Sequence, residues 1–212
     1  MRSYLAKILE NSRNNKRKQK LKNKNFTIFA SECAGGVIYH KLGLKFLSPT
    51  INLWFEPSDF LKFLNNLEYY LNSASLIEDK NSKLDYPVGT LGDKKMQIKL
   101  YFLHYTSFQE AMMKWEKRKR RVNLANLFII MTDRDGANIE MLKEFDQLPF
   151  ENKVILTGKD YPEIKGALFL DNCVENGHLG DIFKTNFFTG KSKLDDFDFV
   201  EFLNGNGNKL SE

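Results

Sequence analysis

The chain has 212 residues, 42% of them hydrophobic and 13% aromatic, which suits one α/β domain with an appendage better than two full domains. No run approaches the roughly 18–20 apolar residues a membrane span needs, and two cysteines cannot build a disulfide framework, so a reduced cytoplasmic setting is expected. The net charge of +5 hides an asymmetry: residues 1–24 carry nine Lys/Arg against the single acid Glu10, while the rest of the chain carries 23 bases and 26 acids.

Residues 1–24 therefore read as a basic, flexible N-terminal arm ahead of a single domain over 25–212. The arm has no continuous apolar run, so no signal peptide is expected. Leu5, Ile8 and Leu9 give it a short apolar stripe, with nothing in it to build a core. Such a segment suits a solvated leader or a peripheral contact with the inner face of an anionic membrane. No aromatic-rich basic motif accompanies it, and nucleic acid is not an expected partner.

The first strand is Phe26–Ala30, apolar throughout. "SECAGG", residues 31–36, turns the chain into a short helix from Gly36 to Leu42 that Gly43 ends. Alternating residues around Ser48-Pro49-Thr50 suggest extended structure at a rim. Ser58 or Asp59 then caps a helix running to about Leu71. A turn-rich stretch with a short hairpin leads to the strand "MQIKLYFL", which ends at His104. Thr106 or Ser107 caps a helix through Arg121. "NLFIIM" is the next buried strand, followed by Thr132-Asp133-Arg134-Asp135-Gly136 and a helix over Asn138–Leu148. "KVILT" and "ALFL" are further strands, and "DDFDFVEFLNGNGNKLSE" reads as one amphipathic helix with its stop.

Continuous apolar strands alternating with helices predict a three-layer α/β fold, Rossmann-like, with a mainly parallel sheet covered on both faces. Chemistry in such sheets gathers beyond the carboxyl ends of the strands. Three clusters fall at such ends: residues 31–36, His104 with Tyr105, and residues 132–136.

Cys33 lies at the turn into a helix N-terminus, where backbone N–H groups and the helix dipole lower a thiol's pKa. Ser31, Ala34, Gly35 and Gly36 surround it, and the N–H groups of such a turn suit an oxyanion or another anion. The bland alternative is a small buried cysteine beside two packing glycines. His104 is placed to act as general base if the two strand ends are neighbours. His40, seven residues along the helix from Cys33, is a weaker partner. Asp133 and Asp135 form an Asp-x-Asp after a buried strand; the readings are a turn or helix cap, a group orienting His104, or a metal and nucleotide-sugar site. Trp115, Arg118 and Arg121 share part of a helix face and suit the phosphates of a cofactor or an anionic glycan, against the alternative of a solvated basic helix end. Three scattered histidines and two distant cysteines make no zinc pattern.

The ordered stretches "SECAGG" with "LGLKFLSPTINLW", "DFLKFLNNLEYYL", "YPVGTL", "HYTSFQEAMMKWEKRKRRVNLANLFIIMTDRDG", "NKVILT" and "FDFVEFLN" resemble domain-of-unknown-function family 1919. Members of that family are often labelled exopolysaccharide or capsule biosynthesis proteins. The resemblance runs from about residue 26 to 204, and the block from His104 to Gly136 is its most specific part. The family's usual first motif reads Ser-Asn-Asn-Cys-x-Gly-Gly, and Glu32 stands here where asparagine is usual. A looser similarity is to capsular polysaccharide acetyltransferases that bind coenzyme A, and it implies Cys33 and His104 as the reactive pair.

The expectation is an O-acetyltransferase acting on an exopolysaccharide or capsule precursor, with acetyl-coenzyme A as donor and a glycan or lipid-linked glycan as acceptor. Cys33, His104 and Asp133 would do the chemistry, and Arg118 and Arg121 would hold the donor's phosphates. The alternatives are a glycosyltransferase-like enzyme built on Asp133 and Asp135, and a glycan- or phosphate-binding protein without catalysis.

Overall fold

In the computed structural model, which describes residues 3–211, four apolar segments become the strands β1 (Thr27–Ala30), β5 (Leu127–Thr132), β6 (Asn152–Thr157) and β7 (Ala167–Phe169). They pair in parallel in the order β1-β5-β6-β7, with Ile28 opposite Phe128 and Ile130 opposite Val154. Alternate side chains enter opposite faces. Phe29, Ile129, Met131 and Ile155 join a core with α3 (Pro57–Asn65), α5 (Phe108–Lys119) and α6 (Ile139–Gln147). Ile28, Ala30, Phe128, Ile130, Val154 and Leu156 join a second core with α2 (Ala34–Leu42) and α7 (Phe199–Leu203). Burial on both faces is why β1, β5 and residues 154–156 of β6 are almost wholly apolar, and the result is the expected three-layer, mainly parallel arrangement.

Local signals set the ends of several elements. Gly43, at φ 65°, closes α2 in the left-handed conformation. The Ser107 hydroxyl accepts from Glu110 N (3.2 Å) to start α5, and the Asn138 side chain accepts from Met141 N (2.9 Å) to start α6. The helix expected to run to Leu71 instead begins at Pro57 and breaks at Asn66, giving α3 and α4 (Leu67–Asn72). The tail is shorter in helix than expected, a 3-10 turn at Lys193–Asp196 followed by the five-residue α7.

"MQIKLYFL" departs further from expectation. Only Ile98–Tyr101 is strand, β4, and it belongs to a separate antiparallel sheet with β2 (Leu76–Glu78) and β3 (Val88–Leu91). Lys99 stands exposed between buried Ile98 and Leu100, an in-and-out alternation natural to a sheet with one wet face. This small sheet joins the rim through the antiparallel pair Trp54–Tyr101, whose rings stack at 4.0 Å. A two-stranded ribbon, β8 (Val174–Glu175) and β9 (His178–Leu179), lies beyond β7.

The basic N-terminal segment is not a free arm. Residues Tyr4–Lys20 form α1, with the Ser3 hydroxyl as its cap, and Ala6 and Leu21 are buried. Arg17 Nη1 reaches Asp195 Oδ1 at 2.5 Å, and Lys41 Nζ of α2 reaches Asp195 Oδ2 at 3.0 Å. The Arg17 guanidinium also lies over the Phe199 ring, 4.6 Å from its centroid. These partners, distant in sequence, convert a solvated leader into a docked helix. Among the described residues no helix is long and apolar enough to cross a membrane.

Candidate functional site

Strand β1 ends by handing its ladder to the turn. Ser31 N donates to Ile130 O (3.0 Å), and Ser31 O accepts from Phe55 N (2.9 Å), so this residue pins the rim to the sheet. Cys33 follows as the first residue of α2's cap, in helical conformation and half-buried. Ala34 is fully buried in the core. A Cβ on Gly35 would stand 3.1 Å from Ile28 Cγ2, so this glycine lets α2 lie close on β1. A Cβ on Gly36 would stand 3.3 Å from Ile51 Cγ2 and 3.5 Å from Asn52 Oδ1. Packing thus accounts for Ala34 and Gly35, and of the four residues around Cys33 it is Gly36 that lines the cleft beside it.

That cavity is a cleft of about 480 Å³. One wall is the face of α2 that carries Cys33, Gly36, Val37, His40 and Lys41, spaced as one helical stripe. The rest of the lining is Phe46, Asn52 and His104, Glu10 of α1, and Phe183, Thr185 and Ser192. His104 arrives from the loop after β4, where its N–H donates to Asn52 O (3.4 Å), and Asn52 itself sits at φ 64°. A non-glycine residue in that region is strained backbone held by its surroundings. Cys33 and His104 therefore do share a cleft, although they come from different sheets and no hydrogen bond joins them among the described residues. His40, the weaker partner by spacing, lines the same wall. A larger cavity of about 960 Å³ adjoins it, sharing Thr185 and Ser192.

The electrostatics run against a resting thiolate. Burial, with the neighbouring Glu32 carboxylate adding to it, pushes the Cys33 thiol up to about 12. One short helix's dipole does not offset that loss of solvation, so the expected lowering is reversed.

Glu32 is the residue whose chemistry the sequence pattern concealed. It is 7% exposed, and its Oε1 has no partner among the described residues. Oε2 lies 3.6 Å from Arg134 Nη1. Burial raises its pKa to about 7; Arg134 and the Thr132 hydroxyl pull it down, while Asp135 and Asp181 push it up. A carboxyl poised near neutrality can give or take a proton. The available signal was a charged residue inside a turn of otherwise small side chains.

Asp133 has a structural task. Its Oδ2 accepts from Gly158 N (2.9 Å) and its Oδ1 from Leu179 N (2.8 Å), and it is 1% exposed. It ties the ends of β5 and β6 to β9 and neither orients His104 nor presents an oxygen to a ligand. Asp135 sits exposed in the following turn at φ 57°. With Asp133 occupied in this way, the Asp-x-Asp reading loses its first metal ligand. Among the described residues no three His, Cys, Asp or Glu side chains are grouped to hold a metal ion.

The helix-face group is also turned inward. Trp115 is 1% exposed and packs against Phe63, with centroids 6.4 Å apart. Arg118 is buried; its Nη1 donates to Tyr105 Oη (2.6 Å) and Ile51 O (3.3 Å), and its guanidinium lies over the Phe46 ring. Arg121 Nη1 donates to Phe46 O (3.2 Å). Neither Trp115 nor Arg118 is placed to grip a cofactor. Both arginines instead hold the rim segment that carries Phe46 and Asn52 to the cleft.

The family model described as Domain of unknown function (DUF1919) matches residues 4–204. An "Uncharacterized protein" of Haemophilus influenzae (strain ATCC 51907 / DSM 11121 / KW20 / Rd) is 42% identical over 187 residues, which cover 88% of this chain and 87% of that one. A match that begins at Tyr4 takes in the docked α1 as well as the sheet. The chain belongs to the family of the domain of unknown function DUF1919.

Proposed function

We propose that this protein is an acyltransferase acting on a hydroxyl of a capsule or exopolysaccharide precursor, with an acyl-coenzyme A thioester as donor. The observation that carries this reading is the convergence of Cys33, His40 and His104 on one cleft beside Gly36 and the strained Asn52. Because the thiol is protonated at rest, its proton must leave as the bond forms. Cys33 Sγ attacks the thioester carbonyl while a histidine of the cleft takes the Sγ proton. The coenzyme A thiolate departs and recovers that proton. The acceptor hydroxyl then attacks the acyl-cysteine, the same histidine accepts the hydroxyl's proton and returns it to Sγ, and the thiol is restored. The N–H of Gly36, in the first turn of α2, is the donor on the cleft wall suited to the developing oxyanion.

Intact-mass spectrometry after mixing with acetyl-coenzyme A tests this. The expected result is one acetyl adduct that maps to Cys33, is absent in Cys33→Ser, and forms about 10²–10⁴-fold more slowly in His104→Gln or His40→Gln. No adduct, or an adduct that survives Cys33→Ser, overturns it.

A second reading, a glycan- or phosphate-binding protein, is favoured by the elevated thiol pKa itself. It predicts that Cys33→Ser leaves calorimetric binding of a phosphorylated glycan unchanged and that acetyl-coenzyme A is not bound.

A further inference from the structure

Although α1 is docked through Ala6, Arg17 and Leu21, the opposite side of its first two turns is apolar and bare. Tyr4, Leu5, Ile8 and Leu9 are 82, 60, 47 and 39% exposed. Beside them runs the loop of residues 186–190, with Phe187 and Phe188 at 53 and 70% exposure. This loop is fixed to the helix. Ser3 Oγ donates to Phe187 O (3.1 Å), Arg13 Nη2 donates to Thr189 O (2.8 Å), and Gly190 lies against Ala6 O so closely that a Cβ there would stand 2.7 Å away. The helix and the loop fixed to it together carry six exposed apolar side chains, more than the scattered single residues that a surface normally shows.

The same helix continues into positive charge. Leu5, Leu9, Lys16 and Lys20 fall within about 60° of one another around the axis at 100° per residue. Lys16 and Lys20 border a hollow of about 460 Å³ together with Arg13, Arg17 and Lys209. Of the acids on its wall Asp198 caps α7 and Glu201 pairs with Lys209 of the same wall at 3.4 Å; with Arg17 held by Asp195, the bases it offers are Arg13, Lys16 and Lys20.

We infer that this face docks on an anionic lipid bilayer, the apolar end entering the headgroup boundary and the basic hollow taking a lipid phosphate. Apolar residues that insert beside bases that meet anionic headgroups are the composition of an interfacial helix. A second copy of the chain fits the surface poorly. Parallel two-fold pairing of α1 would oppose lysine to lysine, and antiparallel pairing would lay lysines over the partner's leucines. The inference needs neither Cys33 nor His104 and stands apart from the acyl-transfer reading.

The test is co-sedimentation of the full chain with phosphatidylcholine vesicles, with and without phosphatidylglycerol. Partition onto the mixed vesicles is expected to exceed that onto phosphatidylcholine alone and to fall with added salt. Phe187→Ala with Phe188→Ala should lower it at least about tenfold, and Lys16→Gln with Lys20→Gln by about tenfold or more. All four side chains are surface groups, and unchanged melting temperatures would show that the variants fold. Equal partition onto the two vesicle types, no partition at all, or variants indistinguishable from the parent would each overturn the inference. So would a dimer on size-exclusion chromatography that the phenylalanine pair of substitutions converts to monomer.

Discussion

At the scale of single residues the turn after β1 carries two acids of unusual strength, a thiol and a carboxyl. With its pKa pushed to about 12, Cys33 is thiolate in roughly one molecule in ten thousand at pH 8. Alkylation by iodoacetamide in the folded protein is therefore expected to climb about tenfold per pH unit from 7 to 10. In urea the same thiol should level off above about pH 8.5, and a plateau there in the folded protein would refute the burial account. Glu32 gives the opposite kind of test. Its folded pKa of about 7 lies above the ordinary 4.5, so the folded state holds an extra proton between those values. Stability must then fall as pH rises through that window, by on the order of 3 kcal/mol. Glu32→Gln should flatten the urea-midpoint profile from pH 4.5 to 7 and leave the variant more stable than the parent at pH 8. A variant no more stable than the parent at pH 8 would mean that Arg134 compensates the buried charge fully.

Among elements, the strand ends are joined through Asp133, Gly158 and β9. A Cβ on Gly158 would fall 2.0 Å from the His178 carbonyl carbon, so the ribbon cannot approach β6 unless that residue is glycine. Gly158→Ala should lower stability by about 1–3 kcal/mol or more and release the amide of Leu179 to faster hydrogen exchange; protection equal to the parent's would show that the ribbon accommodates the methyl. This joint was not legible in the sequence, because 25 residues separate Asp133 from Gly158 and a further 20 separate Gly158 from His178. The parallel strands were legible, since apolar residues on both faces require cover on both. Helix α5 shows where spacing stops informing. Trp115, Arg118 and Arg121 do share a side, but spacing alone does not say whether that side faces solvent. Phe108 and Ala111 complete the stripe and are buried, so a longer window on the same helix points Arg118 inward. Lys99, a charged residue between Ile98 and Leu100, likewise marks the one wet face of β4. Cys33 and His104 line one cleft, but not across neighbouring strand ends: the route runs through a second sheet and the backbone of Asn52, contacts that no local pattern encodes.

For the whole molecule, the decisive contact is the one that makes α1 part of the domain. Asp195 is 1% exposed, and burial alone would raise its pKa. Lys41, Arg17 and two hydrogen bonds from Ser192 outweigh that and hold it at about 2, below the ordinary 3.8. A depressed carboxylate stabilises the fold above its unfolded pKa, and that contribution, on the order of 2 kcal/mol, disappears as pH falls from about 4 through 2. Three segments meet there: α1 through Arg17, α2 through Lys41, and the turn before α7 through Ser192. Removing the acid leaves Lys41, itself 5% exposed, as a buried cation with only Glu10 at 3.9 Å in partial compensation. Asp195→Ala should therefore destabilise the protein by about 3–5 kcal/mol and make α1 the first region cut by trypsin, since its many Lys and Arg sites are protected while it is docked. Because Lys41 and Glu10 also line the cleft, the same variant should disturb the cleft as well as the docking of α1. Asp195→Ala protein whose α1 resists trypsin as the parent's does would show that apolar docking through Ala6 and Leu21 suffices, and that the charged cluster sets the acid limit of the fold without holding the helix in place.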